Sequence, residues 1–239
     1  MKERVDDERS AGTPRREAND RTSALDASAP SPVFLLSPAR CDGRRAKVLL
    51  SERATFPLAE RLRVDGAPLG EVFSFLSGLY FRGKLAYAEA FGGGGGNADA
   101  SAFVITTDRG LVPPGTIVSR DDLVAFSTVD IAARDARYTD PLRRDVERLA
   151  GRLDDAGRVV LLGSIATGKY VDILVETFGT RLLFPSDFVG RGDMSRGGLL
   201  LRSARDGREL AYEPVLGAIR HGKRPPKLEP LRRPRKEGS

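Results

Sequence analysis

The chain reads as an α/β protein, a three-layer helix–sheet–helix sandwich around a mostly parallel central sheet. Three observations predict this. Short apolar runs (PVFLLS, SAFVITT, RVVLLG and TRLLFP) recur along the sequence, and stretches with helical spacing separate them. RVVLLG is apolar throughout, as a strand buried on both faces must be. Strands that alternate with helices pair in parallel, because each crossover returns the chain to the same end of the sheet.

The elements follow in order. Residues 1–30 are polar and lack periodic apolar positions, so they read as a disordered extension. PVFLLS (32–37), closed by Pro38, is a first strand. After a turn at Cys41–Gly43, RRAKVLLSERA suits a short helix. LGEVFSFLSGLYFRGKLAYAEAF (69–91) carries apolar residues at helical spacing, with a break expected near Ser77–Gly78. Glycines 92–96 read as a linker, because no helix N-terminus follows them directly. SAFVITT (101–107) is a second strand, and 108–118 a turn-rich loop.

Further along, PLRRDVERLAGRLDDAG (141–157) places Leu142, Val146, Leu149 and Leu153 on one face, and Gly157 is its expected end. RVVLLG is a third strand, KYVDILVETFG a helix and TRLLFP (180–185) a fourth strand. SDFVGRGDMSRGG then reads as a polar loop, while LLLRSAR and ELAYEPV are expected to complete the sheet edge. Residues 31–219 therefore form a single domain, and 220–239 a disordered tail.

Charge is unevenly spread. The net charge of the whole chain is +6, yet residues 1–30 carry −1, residues 31–219 carry +1 and the Pro-rich tail 220–239 carries +6. Such a tail can add salt-sensitive attraction to phosphates; the competing reading is a solvated, solubilising tail. The one histidine, His221, lies in this tail, which excludes a Ser-His-Asp or Cys-His pair in the folded part. One cysteine, Cys41, cannot form an internal disulfide and fits a reducing cytoplasm. One Cys and one tail His do not make a zinc site, and nothing in the sequence calls for a metal or another cofactor. No apolar run approaches the roughly 20 residues that span a bilayer, and no secretory leader is expected, so no membrane partner is predicted.

In a sheet of this type ligands bind outside the carboxyl ends of the strands. The loops to watch are 37–45, 106–120, 163–169 and 185–197. They carry Arg40, Arg109, Lys169, Arg191 and Arg196, a set suited to an anion such as a nucleotide or a nucleic-acid backbone. Ordinary surface charge is the competing reading. Gly163-x-x-x-x-Gly168-Lys169 has the spacing of a phosphate-binding P-loop between a strand and a helix. Tyr170, however, replaces the short hydroxyl that would ligate Mg²⁺, and no strand ending in Asp follows. A strand–turn–helix is the better reading, with backbone N–H groups near Ser164–Thr167 available to an anion.

LLSPARC, GLYFRGKLAYAEAF, FVITTDRGLVPPGTIV, VVLLGSIATGKYVDIL and LLFPSDFVGRG follow one another over residues 33–203. The series resembles uncharacterised bacterial families grouped with the uracil-DNA-glycosylase-like α/β superfamily, which includes domains associated with tRNA-guanine transglycosylases. The resemblance implies a pocket for a nucleobase or nucleotide. By it, Phe184-Pro185-Ser186 stands where a His-Pro-Ser loop would, and Arg191-Gly192 belongs to a DNA-intercalating loop. Asp42 stands in for the water-activating carboxylate. The histidine that would stabilise a leaving base is missing, so uracil excision by the familiar route is not implied. Phe184 and Tyr80 would stack on a base, and Arg191 or Arg196 would meet phosphate. For the aromatic residues, core packing is the competing reading. The functions expected are a nucleobase- or nucleic-acid-binding protein with a glycosylase-like pocket, a non-catalytic binding module, or a degenerate nucleotide hydrolase. Oligomeric state is left open.

Overall fold

A computed structural model of the chain describes residues 31–93, 101–131, 135–166 and 168–228. The expected extension over 1–30, glycines 94–96 and the tail beyond 228 lie outside the described residues. The elements run β1 (Val33–Leu36), α1 (Arg44–Leu49), α2 (Pro57–Val64), β2 (Ala67–Pro68), α3 (Leu69–Ser77), α4 (Leu79–Phe91), β3 (Ala102–Ile105), β4 (Leu111–Val112) and β5 (Ile117–Val118). The second half runs α5 (Arg120–Ser127), α6 (Ala136–Ala150), β6 (Val159–Leu162), α7 (Gly168–Phe178), β7 (Leu182–Pro185), α8 (Asp193–Asp206) and β8 (Tyr212–Pro214).

One six-stranded sheet has the order β4-β3-β1-β6-β7-β8. β3, β1, β6 and β7 are parallel, with Phe34 level with Ala102 on one side and with Val160 on the other. β4 and β8 close the two edges antiparallel. All four residues of β6 are fully buried, as its apolar sequence requires. The chain leaves β1 toward β3 and then crosses back over β1 to β6. Right-handed crossovers in opposite directions put the intervening helices on opposite faces. Accordingly α3, α4 and α8 pack together in one layer, and α6 and α7 in the other.

The break in the 69–91 helix falls at Gly78, whose φ of +65° is readily open only to glycine. The α4–α8 contact depends on two further glycines. A Cβ at Gly83 would lie 2.6 Å from the Gly197 carbonyl oxygen, and one at Gly197 would lie 2.6 Å from that of Leu79.

Four expectations need correction. LLLRSAR is not an edge strand: it is the second half of α8, whose first residues come from the expected polar loop. Only Tyr212–Pro214 of ELAYEPV pairs with the sheet. The amphipathic helix begins at Ala136 and not Pro141, because Asp135 caps it by accepting from the Arg137 N–H at 2.9 Å. It ends at Gly151, well before Gly157. The first part of the tail, 221–228, has no regular secondary structure but is in contact with the domain: Arg191 donates to the Pro226 carbonyl at 3.3 Å. Helices α2 and α5 carry no sequence-based expectation.

Candidate functional site

Besides a depression of about 540 Å³ between Asp108 and the start of α6, two more of similar size mark the surface. One, of about 510 Å³, lies between the end of α2 and the start of α5, beside the small β2–β5 ribbon. The other, of about 560 Å³, lies at the carboxyl ends of β1 and β3. The second is the candidate site, because that end of a parallel sheet is where loops converge on ligands. Its walls are Pro38, Ala39, Arg40 and Asp42 after β1, Thr107 after β3, Phe126–Ile131 from the end of α5, and Lys169 from the first turn of α7. Thr107 fixes the floor by donating its hydroxyl to the Phe126 carbonyl at 2.8 Å.

Lys169 is exposed, and among the described residues it has no ion-pair partner. Arg40 and Asp42 form an exposed pair at the rim, with contacts of 2.7 and 3.2 Å. This hydrogen bond and charge hold the Asp42 carboxyl below its usual range. A carboxylate stabilised as its anion is a weak base, so the geometry does not favour water activation by Asp42. Asp108, at the end of β3, has the opposite bias: burial pushes its carboxyl up, against the attraction of Arg109.

The other expected site residues scatter. Arg109 does not line the cleft; it pairs with Asp122, which also closes the capping box of α5 with Ser119. Phe184 is fully buried in β7 and presents no face to a ligand, which removes it as a stacking platform. Tyr80 is buried as well, in edge contact with Phe188. Ser186 spends its N–H and hydroxyl on the Ala211 carbonyl, at 3.1 and 3.4 Å. Arg191 is committed to the Asp187 carbonyl, Ser195 and Pro226. Arg196, only 12% exposed, donates twice to the Phe188 carbonyl at 3.0 and 3.2 Å. These arginines pin the loop after β7 and leave few donors for phosphate.

The P-loop-like turn is filled from within. Tyr170 turns back over it and donates to the Ser164 carbonyl at 3.0 Å, while Ser164 Oγ accepts from the Ala166 N–H at 3.3 Å. Thr167 lies outside the described residues. Gly163 permits this closure: a Cβ there would lie 2.9 Å from both the Tyr170 hydroxyl and Ser37 Cβ. The glycine serves a close approach of side chains, not of phosphate.

A second polar cluster lies at the junction of β1 and β6, where strand order reverses. Lys84 of α4 is 1% exposed and reaches the end of β1, donating to the Ser37 carbonyl at 2.7 Å and Ser37 Oγ at 2.9 Å. Its Nζ lies 4.3 Å from the Tyr80 ring centroid and 4.9 Å from that of Phe81. Burial pushes the amine down to about 7; Asp193 opposes the shift and Arg196 adds to it. No sequence signal marks Lys84, because GKLAYAE has the composition of an exposed helical turn. The capping box Ser119-x-x-Asp122 is a signal that could have located α5.

Among the described residues no group of three or more His, Cys, Asp and Glu side chains could hold a metal ion, and no helix is long and apolar enough to cross a membrane. In comparisons with known proteins, no family model, curated protein or solved structure matches this chain.

Proposed function

We propose that the chain binds a nucleotide or a nucleic-acid segment in the cleft at the carboxyl ends of β1 and β3. The observation that carries this reading is the meeting of Lys169, without an ion-pair partner among the described residues, with the exposed Arg40–Asp42 pair on one cleft of about 560 Å³. A cation in the first turn of a helix suits a phosphate, because the helix dipole favours negative charge there. Val129 and Ile131 offer the apolar wall that a base would lie against, and Thr107, Ser127 and Thr128 the polar edge that would read it. The uracil-DNA-glycosylase-like resemblance supports the ligand class, not a catalytic step. The buried single cysteine supports a cytoplasmic setting.

The test is anisotropy titration of a labelled single-stranded oligonucleotide, with mononucleotides as competitors, across a range of salt. Lys169→Ala combined with Arg40→Ala should weaken binding at least tenfold. It should also flatten the salt slope by about 0.7 for each phosphate no longer neutralised. Arg191→Ala should leave affinity unchanged, because that guanidinium is already bound within the protein. Truncation after residue 219 separates the contribution of the basic tail. Full affinity in the Lys169/Arg40 double variant would overturn the reading.

A further inference from the structure

The geometry points to a second chemical site, separate from the cleft: Ser37 Oγ as an acyl-accepting nucleophile with Lys84 Nζ as its general base. Ser37 directly follows β1 at the reversal of strand order, and Lys84 Nζ lies 2.9 Å from its Oγ. That distance is within reach of direct proton transfer. The order of burial fits the roles. Ser37 keeps 6% of its surface exposed, Lys84 only 1%. Ser37 is therefore the outer member of the pair and Lys84 the inner one.

A structural role alone explains this lysine poorly. The Ser37 carbonyl needs one donor, which a neutral amide could supply without an ionisable amine in an apolar setting. Lys84 has no carboxylate in contact among the described residues; the rings of Tyr80 and Phe81 surround it, and Asp193 and Arg196 of α8 act on it from further away. From α7, Tyr170 closes the other side of Ser37. Desolvation of this kind leaves a large neutral fraction near neutral pH, as a general base requires. The lack of any histidine in the described core removes the usual base but leaves the Ser–Lys form of the pair open.

The step balances without a further reagent. Neutral Nζ takes the Oγ proton as Oγ bonds to the acyl carbon and the carbonyl electron pair moves to oxygen. Collapse expels the leaving group, which takes the proton from Nζ, and an acyl–Ser37 ester remains. Water then attacks, gives a proton to Nζ, and Oγ leaves reprotonated as the carboxylic acid departs. The small exposure of Ser37 restricts the substrate to a small, unhindered ester or thioester.

The experiment uses the full chain and an alkyl fluorophosphonate, followed by peptide mass mapping, with p-nitrophenyl acetate turnover in parallel. A single adduct on Ser37 is expected, absent in Ser37→Ala. The rate of labelling should rise with pH through about 7 and then level off, as a base of that pKa dictates. Lys84→Gln should slow labelling at least 100-fold, in the range for loss of a general base. The pH profile of the unmodified protein holds even if that variant fails to fold. No Ser37 adduct from about pH 6 to about pH 9, an adduct at another residue, or a rate that rises with pH without levelling would each overturn the assignment.

Discussion

Replacing Lys84 with methionine should change the sign of its effect on stability as pH rises. The folded state lowers the lysine pKa from 10.5 to about 7, mainly by burial. Between those values the unfolded chain binds a proton that the folded chain does not, so stability rises with pH across that window. Each unit is worth about 1.4 kcal/mol, and the full cost of burying the ammonium, about 5 kcal/mol, is felt below pH 7. It has fallen to about 2 kcal/mol near pH 9. Methionine keeps the length of the side chain and its packing on Tyr80 and Phe81, but leaves the Ser37 carbonyl and hydroxyl without their donor. That loss costs about 3 kcal/mol.

The variant should therefore be more stable than the parent by about 1–2 kcal/mol at pH 6.5–7 and less stable by about 1 kcal/mol at pH 9. Urea unfolding followed by circular dichroism at several pH values measures both. Other groups titrate equally in the two proteins and cancel in the difference, including Cys41, whose buried thiol is pushed up to about 12. A constant offset between the two curves over this range would refute the reasoning, for it would mean that Lys84 does not change protonation between the folded and unfolded states. A gain in stability near pH 7, with loss of Ser37 labelling, is the trade expected of a functional group that the fold accommodates at a cost.

Two further perturbations test the placement of other residues. Gly190 has a φ of +72°, and a Cβ there would lie 2.2 Å from the Lys223 carbonyl oxygen. Gly190→Ala should displace residues 221–228 and speed tryptic cleavage after Lys223 roughly tenfold, with about 1 kcal/mol of backbone strain; unchanged cleavage would refute the contact. Phe184→Ala should cost about 3–5 kcal/mol in denaturant unfolding by opening a core cavity, while oligonucleotide affinity per folded molecule is unaltered. Selective loss of binding would return Phe184 to the ligand site.

Local pattern was enough to define most of the scaffold. A run such as RVVLLG has no polar residue to turn toward water, so it can only be central, and β6 lies between β1 and β7 as that demands. The break at Gly78 was legible for a similar reason, since a glycine between two apolar-periodic segments is free to leave helical geometry. The same local logic failed at α8. Gly197 and Gly198 lower helix propensity, and Leu199–Leu201 read as an apolar strand. The helix exists because Gly197 allows its backbone to close on Gly83 of α4, a contact between positions far apart in sequence.

The site divides along the same line. Sequence identified the loops at the strand carboxyl ends and singled out Lys169 and Asp42, which do share one cleft. It also nominated Arg191, Arg196 and Phe184 on residue type alone, and the fold uses their donors and surface internally. Residue type gives a side chain's chemistry but not what already occupies it. Only the packing of α4 beneath β1 takes Lys84 from water, sets it 2.9 Å from Ser37 Oγ and lowers its pKa. Desolvation depends on every neighbour at once, so no local stretch of sequence could have shown it.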